Sequence, residues 1–156
     1  MKSFSIMVFL FTLAGCQELV TSDLVRIEGN WNKSSTIDIC PSSEVASHLV
    51  YFSDLDVDGV IDQYTEDAET KYSTSCTLET LNTGYHNVSN YNLSSYPNSS
   101  DFVDFVEEFY ADFYSTNEQN VTAEILTFSE YKINYLLSVT SGHRLSPFTE
   151  NIKLTK

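Results

Sequence analysis

The residues with the most chemical potential form a run of alternating acids, Asp54-Leu55-Asp56-Val57-Asp58-Gly59-Val60-Ile61-Asp62. A hard cation such as Ca²⁺ takes six to eight oxygen ligands at about 2.3–2.6 Å, and alternate carboxylates on a tight turn converge on one point. Asp54, Asp56, Asp58, the Val60 carbonyl and Asp62 are therefore the predicted calcium ligands, with Gly59 permitting the sharp bend. The same residues also suit a plain Asp-Gly hairpin turn with an acidic, solvated tip. Mutual repulsion of three neighbouring acids without a cation argues against that alternative. An ion here would fix a hairpin, at the millimolar affinity of extracellular modules, and would not do catalysis.

The run resembles the first nine positions of an EF-hand calcium loop. Position twelve is Thr65 and Glu66 lies one further on, and both flanks read as strand. The resemblance therefore implies a calcium-type loop set in a β-hairpin, not a helix–loop–helix.

Other chemistry is sparse. His48, His86 and His143 include no pair with the close spacing of a zinc motif. There is no Gly-x-Ser-x-Gly elbow and no glycine-rich phosphate loop. Glu107 and Glu108 are placed on the solvent side of a helix. No residue is assigned a catalytic role, and a non-enzyme is expected. A hydrolase built on some pair of the many acids is the least favoured reading, because nothing points to a particular pair. The net charge of −14 makes nucleic acid a poor partner.

The first sixteen residues read MKSFSIMVFLFTLAGC. Lys2 precedes an apolar run from Phe4 to Leu13 that is too short to span a bilayer as a helix. Leu13-Ala14-Gly15-Cys16 resembles the lipobox of bacterial lipoproteins at all four positions. That resemblance implies cleavage before Cys16, a diacylglycerol on its thiol and membrane anchoring by two or three acyl chains. Gln17 follows, which implies sorting to the outer membrane of a Gram-negative cell. An ordinary secretory leader cut after Ala14 or Gly15 is the alternative. Sequons at Asn32, Asn87, Asn92, Asn98 and Asn120 fit a glycosylated secreted chain, though a sequence rich in Ser, Thr and Asn produces some by chance. Lipidation of Cys16 leaves Cys40 and Cys76, which an oxidising compartment permits to pair. Closing that loop contributes about 3–4 kcal/mol in the chain-entropy treatment. Metal ligation by these two cysteines is weaker as a reading, since no histidine lies near them in sequence. Residues 1–15 are thus a signal peptide, 16–24 a lipidated tether and 25–156 one domain.

Ten Phe and ten Tyr supply a core for that domain. Period-two alternation predicts strands at 36–40, 48–52, 60–65, 74–81, 85–93, 121–128, 131–139 and 148–154, with Asn82-Thr83-Gly84 turning the fourth into the fifth. Phe102, Phe105, Val106, Phe109 and Phe113 fall on one face of a helix over 101–115, with Ser99 or Ser100 as its cap. About eight short strands and one amphipathic helix imply a mainly β fold, an antiparallel barrel or half-barrel.

Glu28-Gly29-Asn30-Trp31 carries a Gly-x-Trp that resembles the lipocalin signature, in which the Trp closes the barrel floor. The succession of leader, Gly29 and Trp31, Cys40, the strand at 48–52, Asp58-Gly59, Cys76 and further strands is similar to small lipocalin-like bacterial lipoproteins. The resemblance implies a late arginine stacked on Trp31, a place Arg144 would fill, and an interior that holds a small apolar ligand. One departure stands out: the helix lies mid-chain, whereas a lipocalin carries its helix after the last strand. The expected function is that of a lipid-anchored envelope protein binding a small apolar ligand or a partner protein. The alternative is a structural or assembly role with a solid core.

Overall fold

The computed structural model describes residues 24–38, 44–67, 70–72, 78–80, 84–141 and 147–156. Among them are nine strands: β1 (Gly29–Ile37), β2 (Glu44–Ser53), β3 (Gln63–Glu66), β4 (Thr70–Tyr72), β5 (Leu78–Thr80), β6 (Gly84–Asn87), β7 (Val121–Ser129), β8 (Lys132–Val139) and β9 (Phe148–Thr155). One helix, α1 (Ser99–Phe113), separates β6 from β7. Seven strands form an antiparallel sheet in the order β6-β3-β2-β1-β9-β8-β7, and β4 and β5 pair separately. The last strand lies beside the first, so β1 and β9 form the centre.

The alternation legible in the sequence sets the faces. Trp31, Lys33, Ser35 and Ile37 of β1 are buried, as are Ile133, Tyr135, Leu137 and Val139 of β8 and Phe148, Glu150, Ile152 and Leu154 of β9. The register lines these residues up on one face, with Ser35 opposite Ile152 and Tyr135 opposite the same Ile152. Trp31 is fully buried, and its indole N–H donates to the Ile27 carbonyl at 2.6 Å. The cation over its ring is Lys156, with Nζ 4.5 Å from the centroid. Arg144, expected in that place, lies outside the described residues.

The helix begins two residues earlier than predicted. Its cap is Asn98, not Ser99 or Ser100: the Asn98 backbone is extended and its side-chain oxygen accepts the Asp101 N–H at 2.9 Å. At the far end Ser115 adopts φ +51°, which lets the Thr116 N–H return to the Ala111 carbonyl at 2.9 Å.

Of the two expected forms, barrel and half-barrel, the closed barrel is not formed among the described residues. β6 and β7 are the edges of an open sheet, and α1 reaches both of them. Phe102 meets Phe128 of β7 at 5.5 Å, and Phe109 meets His86 of β6 at 5.1 Å. Between them Phe105 lies against Phe52 and Phe109 against Tyr64. The helix therefore crosses the inner face, buries Phe102, Phe105, Val106, Phe109, Tyr110 and Ala111 against it, and occupies the space that further strands would close. Glu107, expected on the solvent side, instead accepts the outward N–H of Ala123 at 2.8 Å. That caps a group that an edge strand otherwise offers to another chain.

Shorter corrections follow from local geometry. The predicted strand over 85–93 ends at Asn87, because Ser89–Tyr91 forms a 3₁₀ turn capped by Asn92 at φ +52°. The strand predicted from residue 60 begins at Gln63, with Val60 making only an isolated bridge to Ser94. The predicted turn residues Asn82 and Thr83 lie outside the described residues.

Candidate functional site

Two groups of charged side chains stand out, one at the surface and one buried. The first is the acidic loop between β2 and β3. Its base is tied by the Asp62 N–H to the Ser53 carbonyl at 2.8 Å and the Ser95 N–H to the Gly59 carbonyl at 2.8 Å. Within the loop the backbone donates into the acids: Gly59 N–H to Asp54 Oδ2 at 2.9 Å, Val60 N–H to Asp58 Oδ1 at 2.9 Å, and Leu55 N–H to Asp62 Oδ2 at 2.7 Å. Asp54, Asp56 and Asp58 each bring a carboxylate oxygen within 4.8 Å of the others. Asp62 is not in that group, and Val60 makes the bridge to Ser94. The structure thus brings three of the five predicted ligands together directly.

Three details fit a cation at that point. Asp54 Oδ1 is buried without a hydrogen-bond partner. Slight desolvation of the exposed side chain and the facing charge of Asp58, with Asp62 and Asp54 behind it, hold the Asp56 carboxyl above its ordinary value. Val57 adopts φ +64°, a left-handed conformation that costs a β-branched residue about 1–3 kcal/mol, and Gly59 adopts φ +92°. Asp54, Asp56 and Asp58 would hold the ion, and it would neutralise their repulsion.

The second group lies under α1 and was not legible as a site in the sequence. Lys33 of β1 donates to Glu66 of β3 at 2.6 Å and to the Tyr110 hydroxyl of α1 at 3.3 Å. The Tyr64 hydroxyl donates to the same Glu66 oxygen, and His48 Nε2 lies 3.2 Å from the other. Glu150 of β9 is buried beside them, as is Tyr135 of β8. Burial opposes charge on Glu66, but the Lys33 ammonium and hydrogen bonds from His48, Lys33 and Tyr64 outweigh it and hold its carboxyl at about 2. Lys33 is likewise disfavoured by burial, yet the Glu66 carboxylate against it keeps it protonated well past the ordinary lysine range. Glu150 goes the other way: burial raises its carboxyl above the ordinary value, against the opposing pull of Lys33 and Ser35.

This constellation has the residue types of a catalytic site and the surroundings of a structural one. The cavity beside Lys33, Glu66 and Glu150 is only about 20 Å³, room for about one water. Its ammonium is paired, and burial raises the Tyr64, Tyr110, Tyr114 and Tyr135 hydroxyls above the ordinary phenol range, so they stay protonated. A warning was present in the sequence: Lys33 shares the strand parity of Trp31 and Ile37, and Glu150 that of Phe148 and Ile152. Two charges in apolar registers imply a buried pair, but not which residues complete it.

Cys16, Cys40, Cys76 and His143 lie outside the described residues. Among the described residues no helix is long and apolar enough to cross a membrane. The chain matches no protein-family model, no curated protein and no solved structure.

Proposed function

We propose that this chain is a non-enzymatic lipoprotein of the cell envelope with a structural or assembly role, anchored through Cys16 and binding partner proteins by its surface. The fold is read as a lipocalin-like half-barrel in which α1 takes the volume that a carrier keeps for its ligand. One observation supports the choice of assembly over ligand transport: six residues of α1 are buried against the inner face, and among the described residues the enclosed cavity beside Lys33, Glu66 and Glu150 admits about one water. Location in the outer membrane and a Cys40–Cys76 disulfide belong to the same reading. They rest on the lipobox and on cysteine parity.

Native mass spectrometry of the full-length protein extracted from membranes tests this choice. The expected mass is that of the acylated polypeptide alone. A stoichiometric apolar passenger would restore the carrier reading. Palmitate labelling should mark the wild type and not Cys16→Ser, and absence of label on both would remove the anchor.

A second feature has its own support: Asp54, Asp56 and Asp58 lie within reach of one another, and the Asp54 Oδ1 atom is buried without a hydrogen-bond partner, which favours calcium at the loop. Calcium at about ten times its Kd should stabilise the fold by about 1.4 kcal/mol and raise Tm by roughly 3–6 °C. Asp56→Asn combined with Asp58→Asn should abolish that rise.

A further inference from the structure

The loop between β2 and β3 carries a second pattern, interleaved with its acids. Leu55 is 61% exposed and Val57 is 86% exposed, the highest value among the large apolar side chains described. Val57 also holds φ +64°, a conformation that suits asparagine better than a β-branched residue. Its side chain gains no burial in this fold to offset that cost. Single apolar residues are ordinary at a surface, but a group of them marks a contact face. Such a group stands here, because the loop is tied to the start of the domain. The Val25 N–H donates to the Pro97 carbonyl at 3.0 Å and the Ile27 N–H to the Ser95 carbonyl at 3.1 Å, while the Ser95 N–H donates to Gly59 of the loop at 2.8 Å. Two more exposed apolar side chains, Leu24 and Tyr96, are carried by these tied segments. All four lie at the end of the sheet where Gly29 of β1 pairs with Phe52 of β2.

What this end faces follows from the length of chain before it, a step that rests on the proposed acylation of Cys16. Residues 17–23, seven in all, separate that cysteine from Leu24. Fully extended, they reach no farther than about 25 Å. The bilayer therefore lies next to the end that carries Leu24, Tyr96 and the loop, and the opposite end of the sheet points away from it. Charge selects the kind of bilayer. Asp54, Asp56 and Asp58 alternate with the apolar tips, and an anionic headgroup layer would repel them. Arg26, half-exposed, and Lys156, whose Nζ donates to the Arg26 carbonyl at 2.8 Å, stand at the same end. Charges of both signs around apolar tips match a zwitterionic headgroup layer, which offers both an ammonium and a phosphate. A contact at the loop and an acyl anchor joined by so short a segment reinforce one another, since the second binding event is intramolecular.

We propose that Leu55 and Val57, with Leu24 beside the acylated segment, seat this end of the domain in the headgroup layer of a zwitterionic phospholipid bilayer. The full-length protein, extracted from membranes in non-ionic detergent, is reconstituted into phosphatidylcholine vesicles whose acyl chains carry bromine, a contact quencher of indole emission. Flotation of the vesicles reads the anchor, and quenching reads the face. Wild type supplies the baseline, since its only tryptophan, Trp31, is buried. A Leu55→Trp indole should sit about 5–10 Å into the headgroup and acyl boundary and lose at least about half its emission. Thr122→Trp, exposed on β7 at the opposite end of the sheet, should be quenched no more than wild type. Adding Val57→Asn to Leu55→Trp should cut the quenching by at least about half, because the loop loses an apolar tip while its backbone is relieved. Floating vesicles with an unquenched Leu55→Trp indole would remove the face and leave the anchor standing. Failure of every form to float would remove both. Equal quenching at positions 55 and 122, or quenching that Val57→Asn leaves unchanged, would also overturn the proposal. An indole at position 55 that bromine does not reach but that is shielded from aqueous acrylamide would assign the face to a protein partner instead.

Discussion

The acidic loop and the cluster under α1 place carboxylates in opposite circumstances. In the loop, Asp54, Asp56 and Asp58 come from five consecutive residues, Asp56 and Asp58 are exposed, and the three have one another, backbone N–H groups and the Ser95 hydroxyl for company. Under the helix, Glu66 and Glu150 come from strands 84 residues apart in number (150 − 66) and share one buried ammonium, Lys33. Like charges in water repel weakly and are screened. A charge out of water must be paired or become neutral. The proposed cation would therefore complete the loop from outside, whereas the cluster is already paired and helps to hold one packing of helix on sheet.

The largest effect that would separate the two regions is expected at Lys33. Lys33→Met leaves Glu66 buried without its ammonium partner, with only His48 and the Tyr64 hydroxyl against it, and should lower stability by about 3–5 kcal/mol in urea unfolding. The double variant Lys33→Met with Glu66→Leu should recover much of that loss. If the single variant unfolds no earlier than wild type, the cluster does not act as a unit.

Acid titration should sharpen the contrast next. Glu66 is held at about 2 in the fold against an ordinary 4.5, so its contribution is present above pH 4.5 and is lost as pH falls through 2. Glu150 is raised, so its contribution is full below pH 4.5 and is lost as pH rises through its raised value. Glu150→Gln should therefore raise the urea midpoint at pH 7 relative to wild type and leave it nearly unchanged at pH 4. A gain of equal size at both values would contradict the assignment of Glu150 as the strained acid.

The loop should respond less. Without calcium, Asp56→Asn with Asp58→Asn should shift stability by no more than about 0.5 kcal/mol, since exposed like charges contribute little. Backbone effects there are similar in size. A Cβ on Gly59 meets nothing within 4 Å, so Gly59→Ala should cost only the φ +92° penalty, about 1 kcal/mol. Val57→Asn should recover several tenths of a kcal/mol, because asparagine tolerates φ +64° better than valine. Thermal melts in chelator read all three.

Legibility followed the same division. The loop could be read because its geometry is local: spacing, Gly59 and alternating acids all lie within nine residues. Helix α1 was readable from Phe102 to Phe113 because a 3.6-residue period needs no partner to be seen. Its cap was misplaced by one or two residues, because Asn98, Ser99 and Ser100 are all acceptable caps and only the folded backbone, extended at Asn98, selects among them.

The sequence by itself determined the faces. The parity of Trp31, Ile37, Leu137 and Ile152 decides which side of each strand is buried, since period two permits only one solution once a core exists. Only the tertiary structure decided that the sheet stays open and that α1 crosses it from β6 to β7. It alone gave Lys33 the partners Glu66, Tyr64 and Tyr110. Those outcomes depend on which distant strands become neighbours, and pairing energies between segments far apart in the chain leave no periodic trace within either segment.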